Sequence, residues 1–482
     1  MGSGASAGLG VFPAKFSFNI TTAYCASAAQ PDFVVYNTSL AGSPTQASII
    51  AYDNLYQGCV GQVPSVYWAY NTGGTIATSV VLSLDGSQIT FAQSTSGTGS
   101  LVILKWAAST NESANSPMTL TSTSSYRGCT APCMTTVAFS GGANDSGSSP
   151  YYDYGSDTLY IGDDNGKLHK FTGVFAGTPT EVTSAGWPVS VSTQPLGGPV
   201  LDSVSGNIFV GDYLPVGSAS TCEMSGCGFL YSVTASSGAI TGKSSLLDYQ
   251  FGIVDSPIVD SSAQMIYAFV GADGSQACSS SQQCAGVFQF PTSFTSGRGT
   301  EATIGPGFDF LMAGNFDNEY FTSSNASSPT GHLYAVGNTG LANNTLYQIA
   351  INSNVMSTST VAGPELANNF DNNYLSPGLP ITEIANGTHD YLFVSVLYFG
   401  LFAGCNDNQG NGCVLIFDVA SGTVSASSTP LSATAEAGGT SGIVIDNTSS
   451  FSGASNIYFT TLANQTCPTS GGTGGCAIQS SQ

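Results

Sequence analysis

The sequence predicts an all-β chain folded as a seven-bladed β-propeller with disulfides clipping its hairpins. Three observations carry that prediction. Short strand–turn–strand units recur at roughly fifty to seventy residues, the spacing of propeller blades and their loop insertions. No segment sustains a helical apolar periodicity over a helix length, so helices should be short and few. Of the twelve cysteines, the last ten fall into close pairs around polar, Gly-rich or Ser-rich stretches.

In chain order, residues 1–47 do not read as a complete blade. They are expected to be an extension, suited to docking on a neighbouring copy by donating a strand to it. The propeller domain is expected over 48–482. SIIAYDNL (48–55) and VYWAYNTGG (66–74) read as the outer two strands of a blade. Its inner two would be SGIVID and NIYFTTL near the C-terminus. N- and C-terminal strands would then close the ring and leave no sheet edge between last blade and first.

Further units start near Val80 (SVVLSLDGSQITFAQ, then SLVILKW) and Thr136 (TTVAFSGG, then DTLYIGDDNGKLHKF). The clearest are GGPVLDSVSGNIFVGD with GFLYSVTASSGAI, and DSPIVDSSAQMIYAFVGADG with CAGVFQF. Others start near Phe308 (FDFLMAG, then GHLYAVG), Ile381 (LPITEI, YLFVSVLYFG, CVLIFDVASG) and Ile443 (SGIVID, NIYFTTL). Each sets a β-branched or aromatic run, a Ser/Gly/Asp turn, and a second such run. The count becomes eight if FVVYN (33–37) and the final CAIQ (476–479) each extend a separate sheet.

Composition narrows the function classes. Charged residues are 7% of the 482, against roughly 25% for an ordinary soluble domain. With 7 Lys and Arg and a formal charge of -22, no basic cluster exists to neutralise phosphates. Nucleic acid and anionic membrane are therefore poor partners. Such a coat changes charge little on acidification, which suits an exposed or acidic setting. No apolar run approaches 18 residues, so no transmembrane span is expected. The opening MGSGASAGLG has no basic region or long apolar run and is consistent with a mature chain after signal-peptide removal.

The cysteines are Cys25, Cys59, Cys129, Cys133, Cys222, Cys227, Cys278, Cys284, Cys405, Cys413, Cys467 and Cys476. Neighbours from Cys129 onward bracket stretches such as CEMSGC and CNDNQGNGC, as surface-hairpin disulfides would. Cys25 and Cys59 pair with each other or reach the C-terminal cysteines. With 3 histidines in all, zinc is a poor alternative, and disulfides imply an oxidising, extracytoplasmic location. Sequons at Asn19, Asn37, Asn111, Asn144, Asn325, Asn343, Asn386, Asn447 and Asn464 permit N-glycosylation where a host has the machinery.

YWAYNTGG followed by SVVLSLDG, and DTLYIGDDNGKLHKFTG at 157–173, resemble the repeats of the quinoprotein-like (pyrroloquinoline-quinone-type) β-propeller superfamily. The resemblance spans about residues 48–482 and concerns the fold. For an enzyme of that kind it implies a quinone held by Ca²⁺, an Asp base, basic or amide groups and a stacking Trp. Here only Arg127, Arg298 and five Lys could meet the quinone carboxylates. Trp68, Trp106 and Trp187 sit where blade packing accounts for them. The vicinal cysteine pair and the haem-attachment motif of some members are absent. The resemblance therefore lends little to any function.

Acidic and amide clusters are the best candidate chemistry. Asn315, Asp317, Asn318 and Glu319 in GNFDNEYF form a candidate Ca²⁺ site, because clustered carboxylate and amide oxygens are hard ligands. Asp157, Asp163, Asp164 and Asn165 form a similar group, as do Asn369, Asp371, Asn372 and Asn373. Asp and Asn in tight turns also bond their own backbone, the simpler account of all three. His169 and His332 read as satisfied sheet histidines, and His389 with Asp390 as a base and its orienter or a plain turn. Asp85, Asp202, Asp255, Asp260 and Asp446 recur at inner-strand turns, which favours a structural role.

No catalytic set emerges, and no catalytic residue is assigned. The preferred reading is a secreted, non-enzymatic protein of the cell surface or extracellular space, structural or binding. Its expected partners are copies of itself or neutral polysaccharide. The alternative is a secreted polysaccharide hydrolase or lyase using paired carboxylates at the propeller axis.

Overall fold

The computed structural model describes all residues except 62, 110, 142–146, 216–217, 280–281, 308–309, 340–342, 369–377, 406–410, 448–453, 468–472 and 482. The chain divides into two compact units, residues 1–163, 169–183 and 441–482, and residues 164–168 and 184–440.

The first unit carries the first, second and eighth blades and most of the third. The first blade runs Ala14–Phe16, Phe33–Asn37, Ile49–Asp53, Ser65–Asn71, with Met118–Thr119 added in parallel to the last. The second is Val81–Leu82, Gln88–Thr95, Thr98–Lys105 and Cys133–Ala138. The third is Tyr151–Asp153, Thr158–Gly162, Lys167–Thr172 and Thr180–Glu181. The eighth has three strands among the described residues, Val444–Asp446, Asn456–Thr460 and Ala477–Ser481.

The second unit carries the other four. They are Val200–Asp202, Asn207–Gly211, Leu230–Thr234 and Ile240–Lys243; then Ile258–Asp260, Met265–Ser279, Gln282–Pro291 and Thr300–Pro306. Next come Asn315–Phe316, Gly331–Thr339, Asn343–Asn352 and Val355–Glu365; then Thr382–Asn386, His389–Val396, Gly412–Asp418 and Ser432–Glu436. Two four-residue α-helices, Cys222–Ser225 and Asn318–Phe321, agree with the expectation of short, few helices.

The chain is thus an all-β, eight-bladed propeller, and the expected propeller fold is present. The condition for eight is met: Phe33–Asn37 and Ala477–Ser481 belong to separate sheets. Closure therefore differs from the shared blade expected of the two termini. Ile49–Asp53 pairs with Phe33–Asn37, with Val35 opposite Ala51, while SGIVID and NIYFTTL build their own blade. The boundary expected at residue 47 falls inside the first sheet. TTVAFSGG is the outer strand of the second blade, and the sixth opens at Asn315–Phe316 instead of FDFLMAG, part of which lies outside the described residues.

Burial explains the apolar runs. Phe33 and Val35 face a cluster shared with the second blade, containing Ile89, Phe91 and Val102. Val34 and Tyr36, on the opposite face, join Ile50, Ala69 and Tyr458 of the eighth blade. A strand covered on both faces needs apolar residues at consecutive positions, hence FVVYN.

In the second unit a glutamine repeats this logic with hydrogen bonds. Gln289 donates to the Tyr267 hydroxyl directly opposite it (2.9 Å) and to Asn354 O (3.0 Å) of the following blade. One blade later, Gln348 donates to Tyr334 (2.8 Å) and to Gly422 O (2.9 Å). Each glutamine satisfies a buried tyrosine and ties its blade to the next.

All six disulfides form: Cys25–Cys59, Cys129–Cys133, Cys222–Cys227, Cys278–Cys284, Cys405–Cys413 and Cys467–Cys476. Cys25 and Cys59 pair with each other, and no cysteine is free.

Candidate functional site

The first and eighth blades enclose a cavity of about 700 Å³. The first supplies Val34, Tyr36, Tyr52 and Val66 to its wall; the eighth supplies Tyr458, Ile478 and Gln479. Strand pairing sets these positions, with Val34 opposite Tyr52, Tyr52 opposite Val66, and Tyr458 opposite Gln479. The Tyr36 and Tyr52 rings meet edge to face at 5.9 Å, and the Tyr36 hydroxyl donates to Ile478 O at 3.4 Å. Burial pushes the Tyr52 phenol up to about 12 and keeps Tyr36 neutral as well.

Gln479 Oε1 and Tyr458 Oη, sealed behind the wall and not open to the cavity, have no hydrogen-bond partner among the described residues. The Gln479 amide nitrogen donates to Leu55 O, which orients the side chain and leaves the oxygen unpaired. The Asn456 side chain lies beside the Tyr458 hydroxyl, yet no hydrogen bond of acceptable geometry forms. A close backbone approach supports the eighth-blade wall. Gly475 N donates to Gly2 O, and a Cβ on Gly475 would meet Ala5 O at 1.4 Å, so only glycine fits.

A buried charge pair ties the same two blades together. Lys15 Nζ lies 2.6 Å from Asp446 Oδ2, with both side chains under one-tenth exposed. The Tyr56 hydroxyl sits between Asp32 Oδ2 (2.6 Å) and Asp446 Oδ2 (3.2 Å). Burial, the hydrogen bond to Asp32 and the two carboxylate charges hold that phenol protonated. Asp446 is the one inner-turn aspartate committed to a cation. Asp85, Asp202 and Asp260 accept from backbone N–H groups of their own turns, and Asp255 accepts from Ala313 N.

Each histidine has a carboxylate partner. His169, fully buried, has Glu181 Oε1 at 2.6 Å on Nδ1 and Asp163 Oδ2 at 3.1 Å on Nε2. Burial alone would lower its pKa, but the bonds to the two carboxylates outweigh it and the value is raised. His389 pairs with Asp418 at 2.6 Å instead of its neighbour Asp390, because Asp418 ends the adjacent strand. His332 pairs with Asp317 at 2.7 Å, and that bond raises its pKa.

Of the GNFDNEYF set, Asp317 and Glu319 come together with His332, one ligand atom of each within 4.8 Å of the others. Asn315 turns its amide to Ile381 O (3.4 Å), and the Asn318 backbone N–H donates to Asp390 (2.8 Å). Asp317 already uses both oxygens: Oδ1 caps the Asn318–Phe321 helix through Tyr320 N and also accepts from His332 N, and Oδ2 holds the imidazole. One nitrogen with two carboxylates suits a borderline cation better than Ca²⁺, which takes oxygen ligands. His332 was legible only as an alternating strand residue, since its partnership depends on a hairpin of fifteen residues. Asp157 and Asp163 separate, the first accepting from Tyr152 and the 175–177 backbone, the second from His169. Asn369, Asp371, Asn372 and Asn373 lie outside the described residues, as does the sequon Asn144. Asn37 is buried and donates to Ala7 O and Ile76 O, which closes that sequon.

No protein-family model matches the chain, and no curated protein matches it. Among solved structures it is similar to BamB from Moraxella catarrhalis (12% identity, 94% of each chain covered, TM-score 0.42). It is also similar to the WD40 domain of Toxoplasma gondii coronin (9%, 85% of this chain and 86% of that one, TM-score 0.42). Sqt1 from Chaetomium thermophilum bound to the N-terminus of ribosomal protein L10 is a third (12%, 75% and 78%, TM-score 0.43). At such scores none of these bears on function, and the blade count rests on this chain's own strand pairing.

Proposed function

We propose that this chain is a secreted, non-enzymatic propeller serving at the cell surface or outside the cell as a binding or structural protein. The observation that carries the proposal is the pairing of every cysteine in six disulfides, which persist in oxidising compartments. Apart from the exposed Glu319, the Asp, Glu and His groups described above are held by hydrogen bonds that shape turns and join strands, which supports a binding role over catalysis. Self-association is part of this reading, and with a formal charge of -22 it requires contacts that outweigh the like-charge repulsion between copies.

The test is a thiol count on protein isolated from its native source without reductant, alongside fractionation of the cells. Protein in the medium or envelope with no titratable thiol is expected. A cytosolic chain with reduced cysteines would overturn the proposal. Sedimentation across a concentration series checks self-association, and a strictly monomeric species at high concentration removes that part.

A further inference from the structure

We infer that Lys15 and Asp446 become joined by an amide bond, which the folded chain forms by itself with loss of one water. The bond is an isopeptide staple between the opening strands of the first and eighth blades, both in the first unit. It goes beyond the proposed function, because it concerns the covalent structure of the chain.

Strand packing holds the reactants in place. Lys15 lies opposite Val34 on Ala14–Phe16, and Asp446 ends Val444–Asp446 opposite Asn456. Lys15 Nζ stands 2.6 Å from Asp446 Oδ2 and donates to the Tyr56 hydroxyl (3.2 Å) and to Ser17 Oγ. Three partners for three N–H bonds fix the direction of the head group. At an ordinary hydrogen-bond angle the nitrogen is then about 3–3.5 Å from the Asp446 carboxyl carbon, a near-attack separation. Groups held so react as though present at about 10⁵–10⁸ M.

The site is also dry. Asp446, Asp32 and Tyr56 are each 1% exposed, and the Lys15 side chain 7%. Tyr56 packs with Leu55, Ala69 and Tyr458, while Phe16 and Phe18, near Lys15 in the chain, join the apolar cluster on the other face. In such surroundings, passing one proton from ammonium to carboxylate removes two buried charges at once. The neutral, desolvated amine is the nucleophile.

Nζ attacks the Asp446 carboxyl carbon, forming the N–C bond as the carbonyl electron pair moves onto oxygen. The Tyr56 hydroxyl lies 3.2 Å from both Nζ and Asp446 Oδ2, with Asp32 Oδ2 at 2.6 Å behind it. It takes the second proton from nitrogen while passing its own to Asp32, and the relay then runs back to the departing oxygen. The C–O bond breaks and water leaves. Ammonium and carboxylate give amide and water, so the balance needs no oxidant, reductant or outside proton.

The experiment is intact-mass spectrometry of the full chain, folded with its disulfides and then reduced and denatured. Wild type is expected about 18 Da below its sequence mass, the loss of one water. Lys15→Arg keeps a cation beside Asp446 but offers no primary amine, and Asp446→Ala removes the acid; both should show their full sequence masses. Digestion of reduced wild type should release one branched peptide that carries both Lys15 and Asp446. Tyr56→Phe should slow linkage at least about 100-fold, so that fresh protein retains the unlinked mass. Circular dichroism checks that each variant folds. The wild-type measurement decides by itself if a variant does not. Wild type at its full sequence mass overturns the inference. So does a loss of about 18 Da that persists in Lys15→Arg, which marks dehydration at another residue.

Discussion

Replacing His169 with leucine should destabilise the first unit by about 3–5 kcal/mol at pH 6, the cost of breaking a buried ion pair from one side. The imidazole is fully buried between Glu181 Oε1 at 2.6 Å and Asp163 Oδ2 at 3.1 Å. Glu181 cannot swing away cheaply, because Ser140 holds its other oxygen through the backbone N–H (2.8 Å) and the hydroxyl (2.6 Å). Phe139 stacks on the ring at 4.7 Å, so leucine fills the space but leaves the acids facing each other.

The two pKa shifts set the pH window. Glu181 is lowered from 4.5: burial opposes the shift, and the bonds from His169 and Ser140 prevail. Its contribution is present above 4.5 and is lost as pH falls through the lowered value. His169 is raised from 6.5, so its contribution is complete below 6.5 and is lost as pH rises through the raised value. The gap between wild type and variant is therefore widest between 4.5 and 6.5 and shrinks in alkali. Urea unfolding at pH 6 and pH 9, followed by tryptophan fluorescence, measures it. A loss under about 1 kcal/mol at pH 6, or the same loss at both pH values, would refute the argument.

Removing Cys25–Cys59, which closes 34 residues, should cost about 4 kcal/mol in the chain-entropy account, against about 2 for Cys129–Cys133, which closes 4. Urea midpoints of the paired serine variants test the order, and equal losses would sink it. Burial pushes Glu383 up to about 8, helped by its hydrogen bond to Asp390 and by the charges of Asp390 and Asp317. Its stabilising contribution is complete below about 4.5 and disappears as pH rises through about 8. Glu383→Gln should therefore match wild type at pH 5 and exceed it by at least ~1 kcal/mol at pH 9, read from melting curves. Glu301, raised to about 7 by burial and Asp273, acts in the same direction. Set against the acid losses at Glu181, Asp157 and Asp202, whose pKa values are lowered, these gains are expected to keep the circular dichroism of the fold intact from pH 7 to pH 3, and early loss of signal would contradict this.

The cysteine pairs from Cys129 onward were legible because their partners lie 4 to 9 residues apart, so the local hairpin alone brings them together. Blades were legible wherever two apolar runs flank a Ser/Gly/Asp turn, as in 197–212. TTVAFSGG was harder, since the last strand of one blade and the first of the next are both short apolar runs after a turn. Pairing with Thr98–Lys105 assigns it to the second blade, and no local pattern carries that information.

Candidate chemistry followed the same division. The Asp317 turn stood out as a cluster of acids and amides, yet its cap on Tyr320 N and its bond to His332 emerge only when the hairpin closes. His389 finds Asp418 across the sheet, 29 residues on, and not the aspartate beside it, because consecutive strand residues point to opposite faces. By itself the sequence determined the β class, the repeat, the oxidised cysteines and the uncharged coat, all of which depend on residue type and short-range spacing. Tertiary structure alone decided the eighth blade, the Lys15–Asp446 pair and the tyrosine-lined cavity. Tyr36 and Ile478 meet across 442 residues of chain, and only the packing of separate sheets brings such positions together.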